Sequence, residues 1–399
     1  MIHEITKTHS RIATIIVAFD AGSRIEKRSR HNLGIAHMLE HSIFKGTQDM
    51  NAMEIQKKIA FLGGRSNAFT SHEMVAYYIT VPYENIEACI EILSNMVFNP
   101  IFPEEEILRE IEVVKEEEMS SKDSTESYIW RLFSDKFFGD HYLGTPVIGT
   151  QETIAKFTRD EIAKFHSRFC NRKDAIVSLC SNLTKRESKS LLTKYFGKSS
   201  GRTKTHYKFD KPNYPKSLEM NITRPGIEHT YVWMGMPSIN KGSTELSPPV
   251  KLLTTILGSG MDSRLFEEVR EKRGLAYGVS ASSSEWQQGG LSLVEFSTRD
   301  SNVEEGIEVI LTEIQKIKTT HVSDEEIQRA KNKIRASFYS AIEDSYNLAS
   351  WSIRKRLVGI PEIDDYMKMI DRVSSNDILE AAEAIYDTDR LLTCICRRE

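Results

Sequence analysis

Cysteine is scarce in this sequence, and its distribution argues against a disulfide framework. Five cysteines are scattered over 399 residues, and an odd, scattered count is typical of a reducing compartment. Cys394 and Cys396 lie two apart in an apolar run near the C-terminus. Alternate residues of a strand share one face, so we interpret this pair as core residues rather than metal ligands.

Long apolar runs and a strong net charge are also missing. No stretch reaches the roughly 18 apolar residues of a membrane span. The formal net charge is only -4, which favours neither nucleic acid nor an anionic membrane as a partner. Residues 1–7 show neither a secretory signal pattern nor the Arg-rich character of a transit peptide. We therefore expect a bacterial-type cytoplasmic protein, with the mitochondrial matrix as the alternative if a targeting segment has been removed.

The length and a recurring pattern predict two domains. A chain of 399 residues is too long for one ordinary core. The segment 83–92 resembles 300–309, and further matches follow in the same order. Residues 201–217 are poor in apolar side chains and are typical of a linker. We predict an α+β fold of two homologous domains, 1–200 and 218–399, each a mainly antiparallel sheet packed with helices.

The stretch from His31 to His41 predicts one helix that carries His37 and His41 on the same face, with Glu40 beside them. Positions i and i+4 lie about 5–6 Å apart at Cβ, so two imidazoles there can bind one metal ion, and imidazole suits zinc. The Glu40 carboxylate is placed to take a proton from water at that metal. This H-x-x-E-H order is the inverted form of H-E-x-x-H. Surface histidines without a metal are the alternative.

A third ligand is expected from the acidic helix predicted over residues 104–120. Glu110 and Glu117 lie two turns apart on one face, with apolar residues between them. We predict Glu117 as the third ligand, and Glu110 as a supporting residue that holds a ligand or the water by a hydrogen bond. By spacing alone, Glu116 and Glu118 remain alternatives. The second half has no H-x-x-E-H, so only the first half is expected to bind metal.

These motifs resemble the zinc motif of the M16 peptidases, a family that includes insulysin, pitrilysin and the mitochondrial processing peptidases. The resemblance covers nearly the whole chain, and the matching phrases agree in order and spacing. They are 34–47, 64–70, Glu73, 113–117, 143–150 and 271–277. The N-terminal strand is shorter than is usual in the family, which affects little of the chemistry.

The resemblance implies a zinc metalloendopeptidase that hydrolyses peptides or unfolded segments enclosed in an interdomain cavity. Zn2+ would be bound by His37, His41 and Glu117. Glu40 would be the catalytic base, assisted by Glu110. A non-catalytic structural or presenting subunit is the alternative, and the intact metal residues argue against it. A closed four-ligand zinc module is disfavoured, because no fourth Cys or His stands at a suitable spacing.

The resemblance also implies substrate contacts in both halves. The run 66–70 is expected to be an exposed strand edge that pairs with the main chain of a peptide, through Asn67, Ala68 and Phe69. In the second half, Arg270 and Tyr277 are the expected contacts, and Arg273 is a rival to Arg270. Because a chain of this size holds only half of the family's clamshell, we expect a homodimer, with a heterodimer as the alternative.

Overall fold

The structure, a computed structural model, describes residues 1–26, 32–198 and 209–399. The strands of the first half are β1 (Ile2–Lys7), β2 (Ile12–Phe19), β3 (Arg65–Thr70), β4 (Val75–Pro82) and β5 (Ile176–Ser181). Its helices are α1 (Ile35–Ser42), α2 (Ala52–Phe61), α3 (Ile86–Phe98), α4 (Glu104–Asp123), α5 (Thr125–Phe138), α6 (Gln151–Ile154), α7 (Arg159–Phe169) and α8 (Lys185–Phe196).

The second half repeats this succession. Its strands are β6 (Leu218–Arg224), β7 (Thr230–Ser238), β8 (Ala276–Glu285), β9 (Gly290–Thr298) and β10 (Leu392–Arg398). Its helices are α9 (Ser247–Gly258), α10 (Val303–Thr319), α11 (Asp324–Ile342), α12 (Ser345–Val358), α13 (Ile363–Arg372) and α14 (Ser375–Ile385). In the parts of the chain that the structure describes, every helix is too short or too polar to cross a lipid bilayer.

The two sheets have the same topology. The strand order is β1-β5-β2-β4-β3 in one sheet and β6-β10-β7-β9-β8 in the other. In each sheet only the first and last strands of the half pair in parallel, and the remaining neighbours are antiparallel. The predicted fold class, an α+β duplication built on mainly antiparallel sheets, is confirmed.

The sequence of β2 is an almost continuous apolar run, without the alternation of apolar and polar residues that a half-exposed strand shows. Every residue from Ala13 to Phe19 is buried, because both faces of the sheet are covered. Helix α3 contacts β2, and Ile16 and Ala18 pack in one cluster with Ala349 and Ile353 of α12. A strand covered on both sides carries no polar face.

Two local predictions are corrected or limited by the structure. The helix predicted from His31 begins only at Ile35, because Gly34 adopts the left-handed conformation (φ 93°) and precedes the first turn. Residue 31 itself lies outside the described residues. Of the predicted linker at 201–217, residues 201–208 also lie outside them, and 209–217 contain neither helix nor strand. Strand β1, which the sequence pattern did not reveal, lies at the edge of its sheet.

The chain folds into two compact units that each take a helix from the other half of the sequence. The first unit comprises Met1–Ser124, Thr145–Lys208 and Ser340–Leu357, apart from residues outside the described ranges. The second comprises Thr125–Gly144, Phe209–Tyr339 and Val358–Glu399. The predicted domains, 1–200 and 218–399, describe the sequence repeat and remain a prediction. The compact units differ from the repeat in one respect: α12 belongs to the first unit and α5 to the second.

Each exchanged helix is held by buried contacts. In the first unit, Ser345 of α12 hydrogen bonds through its hydroxyl to the hydroxyl of Thr14, at 2.8 Å. In the second unit, Phe133 of α5 is fully buried and stacks edge-on against Trp233. A Cβ on Gly235 would lie 2.3 Å from the Phe133 ring, so only glycine lets the ring approach that strand.

Replacing Phe133 with alanine tests the importance of this contact for the second unit. We expect the free energy of unfolding to fall by about 3–5 kcal/mol, because a buried ring is lost and a cavity is left. Chemical denaturation followed by circular dichroism measures the change. Glu126→Ala, at an exposed position of the same helix, is the control. A loss no larger than that of the control would show that α5 is not part of the core of this unit.

Candidate active site

Helix α1 has one buried, mainly apolar face and presents its two histidines on the other. Ala36, Met38 and Leu39 are fully buried, whereas His37 and His41 are half-buried on the opposite side. Their ring centroids lie 4.7 Å apart, as expected for positions one helical turn apart. The buried face thus anchors the helix by packing, and the two imidazoles can contact residues of other elements.

Helix α4 brings Glu117 to both imidazoles. The Nε2 atom of His41 lies 3.3 Å from one carboxylate oxygen of Glu117, and Nε2 of His37 lies 3.8 Å from the other. One potential ligand atom from each of these three residues falls within 4.8 Å of the others. Two imidazoles and a carboxylate are a common donor set of catalytic zinc sites, so the residues fit this metal.

Spacing in the sequence left Glu116, Glu117 and Glu118 as candidates for the third ligand. In the structure the two neighbours of Glu117 on α4 do not contact the imidazoles. Glu118 is buried and pairs with Lys122, at 2.6 Å, and it accepts a hydrogen bond from the Gln151 amide, at 2.8 Å. Glu116 is exposed. Successive helical residues are rotated by about 100°, so only one of the three can face α1.

Glu110 and Lys45 support His41 from the side away from Glu117. His41 Nδ1 lies 2.8 Å from a carboxylate oxygen of Glu110, and the Lys45 ammonium pairs with the other oxygen. A carboxylate at Nδ1 places the ring proton there and leaves Nε2 free to bind a metal. Sequence reasoning found Glu110 but missed Lys45. Its only signal was its position four residues after His41.

The charges of these groups are strongly coupled. Burial alone would lower the pKa of His41, but the hydrogen bonds to Glu110 and Glu117 outweigh burial and raise it to about 9. Burial, together with the nearby charge of His41, lowers the pKa of His37 to about 4. The hydrogen bond to His41 lowers the pKa of Glu117. Without a metal, two carboxylates thus converge on a protonated His41, and a bound metal ion would replace the proton on Nε2.

Glu40 is tied to the neighbouring edge strand. Its carboxylate accepts a 2.5 Å hydrogen bond from the Thr70 hydroxyl at the end of β3. Burial raises the pKa of Glu40, and the Thr70 hydrogen bond opposes that rise. Thr70 was predicted only as part of a strand, and its contact with Glu40 depends on how β3 packs beside α1.

Strand β3 is an outer strand of its sheet, as predicted. It pairs with β4 on one side only, with Ala68 opposite Tyr77. Asn67 is exposed and Phe69 is half-buried. The Asn67 side chain accepts a hydrogen bond from the backbone N–H of Ala68, at 2.9 Å. An outer strand of this kind can accept a further strand.

In the second unit, Arg270 and Tyr277 are brought together. Phe266–Glu271 forms a π-helical turn, and the Arg270 guanidinium carbon lies 4.7 Å from the ring centroids of both Phe266 and Tyr277. The β8–β9 register is irregular between Ala276 and Gly278, and Tyr277 between them is 84% exposed. Bulges commonly re-aim a side chain in this way.

Arg273, the rival to Arg270, is already engaged within its own segment. Its guanidinium donates to the carbonyl oxygen of Glu268, at 2.8 Å, and to the carboxylate of the same residue, at 2.5 Å. Arg270 has a more distant carboxylate partner, Glu271, at 3.6 Å, and is held chiefly by stacking. The in-plane N–H groups of a stacked guanidinium stay accessible to an acceptor.

The sequence matches two family descriptions, one after the other along the chain. Residues 2–151 match "Insulinase (Peptidase family M16)", and residues 156–334 match "Peptidase M16 inactive domain". An uncharacterized zinc protease of Rickettsia felis is 31% identical over 375 residues, covering 92% of this chain and 88% of the relative. The uncharacterized zinc protease YmxG of Bacillus subtilis is 27% identical over 387 residues, covering 96% and 93%.

Solved structures agree on the fold. A peptidase M16 inactive domain from Pseudomonas fluorescens aligns with a TM-score of 0.89 at 17% identity, covering 100% of this chain and 95% of that one. A protease from Helicobacter pylori aligns with a TM-score of 0.86 at 23% identity, covering 98% and 96%. Together with the sequence matches, these results show that the chain belongs to the M16 peptidase family.

The segment that leads to Arg270 is held by an ion pair whose strength depends on pH. Arg264 contacts both carboxylate oxygens of Glu326, at 2.7 and 3.1 Å. Burial alone would raise the pKa of Glu326, but the hydrogen bonds from Arg264 and Ser323 hold it at about 2. An unfolded chain has a glutamate pKa of about 4.3. The pair therefore stabilises the second unit fully above that value, and the stabilisation is lost as the pH falls towards 2.

We expect Glu326→Gln to lower the free energy of unfolding at neutral pH and to flatten its decline between about pH 4.3 and 2. Denaturant titrations across this pH range measure both effects. Glu325→Gln, at an exposed neighbouring position, is the control. A variant whose acid decline equals that of the wild type would show that this pair does not hold the segment.

Proposed function

We propose that this chain is a zinc metalloendopeptidase that hydrolyses peptides or unfolded segments. The observation that carries the proposal is the convergence of His37, His41 and Glu117, with Glu40 one residue from a ligand. These three residues would hold Zn2+. When bound, zinc supplies Lewis acidity for the attack of water on a peptide carbonyl. The names of the zinc-protease relatives support the same reaction class.

The chain's own residues divide the remaining work. Glu40 accepts the proton of the attacking water and returns it to the amine that leaves. Thr70 orients the Glu40 carboxylate through its hydrogen bond. Glu110 keeps the His41 proton on Nδ1, on the side away from Glu117.

Substrate binding is assigned to the outer strand and to the stacked arginine. The outer edge of β3, including Asn67, Ala68 and Phe69, pairs with the main chain of an extended peptide, which accommodates many sequences. Arg270 and Tyr277 donate to acceptors on the peptide. From the family resemblance we expect the chain to assemble as a homodimer, with a heterodimer as the alternative.

The role of Glu40 is tested by Glu40→Gln. We expect bound zinc to be retained, while turnover of a mixed peptide library falls by roughly 10²–10⁴-fold or more, because the base is lost and the ligands remain. Mass spectrometry of the cleavage products and metal analysis of both proteins measure this. Glu116→Gln, an exposed carboxylate of α4, is the matched control.

The outcomes separate the two functions under consideration. Near wild-type cleavage by Glu40→Gln would contradict the assigned base. If the wild type holds zinc but cuts no peptide, alone or as the isolated assembly, the peptidase proposal fails. A presenting subunit would then account for the site.

The role of Arg270 is tested in the Glu40→Gln background, so that binding is measured without cleavage. Arg270→Ala should weaken binding of a fluorescein-labelled peptide, chosen as the fastest cut by the wild type, by on the order of 10–100-fold. The reason is that a charge-assisted hydrogen bond is lost. Arg273→Ala should change binding little, because Arg273 is engaged with Glu268. Loss of zinc in Arg270→Ala would show that the residue has been assigned the wrong role.

A further inference from the structure

The N-terminus of α1 is capped by a carboxylate that the proposed chemistry does not use. One oxygen of Glu26 accepts a hydrogen bond from the backbone N–H of Gly34, at 3.0 Å, and the other accepts from that of Ala36, also at 3.0 Å. Glu26 is fully buried. The first N–H groups of a helix have no partner within the helix, and here a side chain from outside the helix supplies one.

Close packing explains why the cap comes from a distance. Gly34 occupies the N-cap position, where a Ser, Thr, Asp or Asn side chain would ordinarily accept a hydrogen bond from an N–H of the first turn, as Glu26 does here from Ala36. A Cβ on Gly34 would lie 2.4 Å from the carbonyl oxygen of Ile148 and 2.9 Å from Cα of Gly149. No side chain fits there, so Glu26 takes over the function.

The two candidate histidines differ in the hydrogen bonding of their Nδ1 atoms. His41 is fixed by Glu110 of α4 through Nδ1. Among the described residues, Nδ1 of His37 is buried without a hydrogen-bond partner. His37 stands in the first turn of α1, directly after Ala36. Its position therefore depends on the backbone of that turn, which Glu26 secures.

The burial of Glu26 is costly and so needs a compensating gain. Burial raises the pKa of Glu26 to about 8, opposed by the two backbone hydrogen bonds. The two hydrogen bonds from backbone N–H groups of Gly34 and Ala36 offset part of the cost of burying this side chain. Helix α1 has only eight residues, so fraying of one turn would displace a large part of it.

We propose that Glu26 is a positioning residue that holds the first turn of α1, and through it His37, in the arrangement required to bind zinc. This inference rests on the proposed function for its metal. It goes beyond that function by assigning a task to a residue whose hydrogen bonds go to the backbone of the helix that carries His37. His41, with its own support from Glu110, should be affected less than His37.

The test compares Glu26→Gln and Glu26→Ala with the wild type in two measurements. In metal-free protein, residue-resolved hydrogen exchange should show faster exchange at the amides of Gly34, Ala36 and His37. Zinc affinity, measured by competition with a chelator, should fall by roughly 10–100-fold, as is typical when the support of a ligand is removed. The visible spectrum of the Co2+-substituted protein should shift as well.

Glu54→Gln is the matched control. Glu54 completes a capping box with Asn51 at the N-terminus of the neighbouring helix α2, and it should alter neither zinc affinity nor exchange in α1. Glu26→Gln keeps one acceptor oxygen and should lie between Glu26→Ala and the wild type. If Glu26→Ala fails to fold, the Gln variant, checked by circular dichroism, decides the result.

Each outcome has a distinct meaning. Faster exchange in α1 with weaker zinc binding supports the inference. Faster exchange with unchanged zinc affinity and an unchanged Co2+ spectrum overturns it and leaves Glu26 a purely structural cap. Unchanged exchange overturns it as well. A wild-type chain that binds no zinc overturns the proposed function and the zinc role of Glu26 together, and the exchange data then show only a cap.

Discussion

The candidate site depends on the contact between α1 and α4, and that contact centres on His41. Glu110 lies at one ring nitrogen and Glu117 at the other. Each carboxylate comes from a helix more than sixty residues away in sequence. Glu110 is buried and Glu117 is exposed, and a buried carboxylate is unfavourable without a compensating positive charge. In the structure His41 and Lys45 supply it, and in a working peptidase a metal ion would share that task.

The comparison of the two homologous units explains how only one of them can carry the candidate metal site. Both sheets have the same strand order, and α9 occupies in the second half the chain position that α1 occupies in the first. Helix α9 is buried along almost its whole length, from Pro248 to Gly258, whereas α1 keeps a polar side. The same scaffold therefore supports a packed apolar helix in one unit and a helix carrying histidines in the other.

Backbone irregularity, rather than regular elements, positions Arg270 and Tyr277 in the second unit. A π-helical turn carries Arg270 and a register shift in the edge strand exposes Tyr277. Features of this kind are often found at functional sites. The Arg270 guanidinium packs against two rings, and a side chain restrained in this way would lose less conformational entropy on binding an acceptor.

The sequence by itself determined what lies within one helix or strand. The one-turn spacing of His37 and His41, the apolar run of β2 and the recurring order of elements follow from the fixed periods of helix and strand, and the α+β duplication could be predicted from them. Only the tertiary structure decided contacts between distant segments. The direction of Glu117 rather than Glu116 or Glu118, the support from Lys45, Thr70 and Glu26, and the exchange of α5 and α12 depend on how elements are rotated and packed. Side-chain spacing along one segment does not specify that packing.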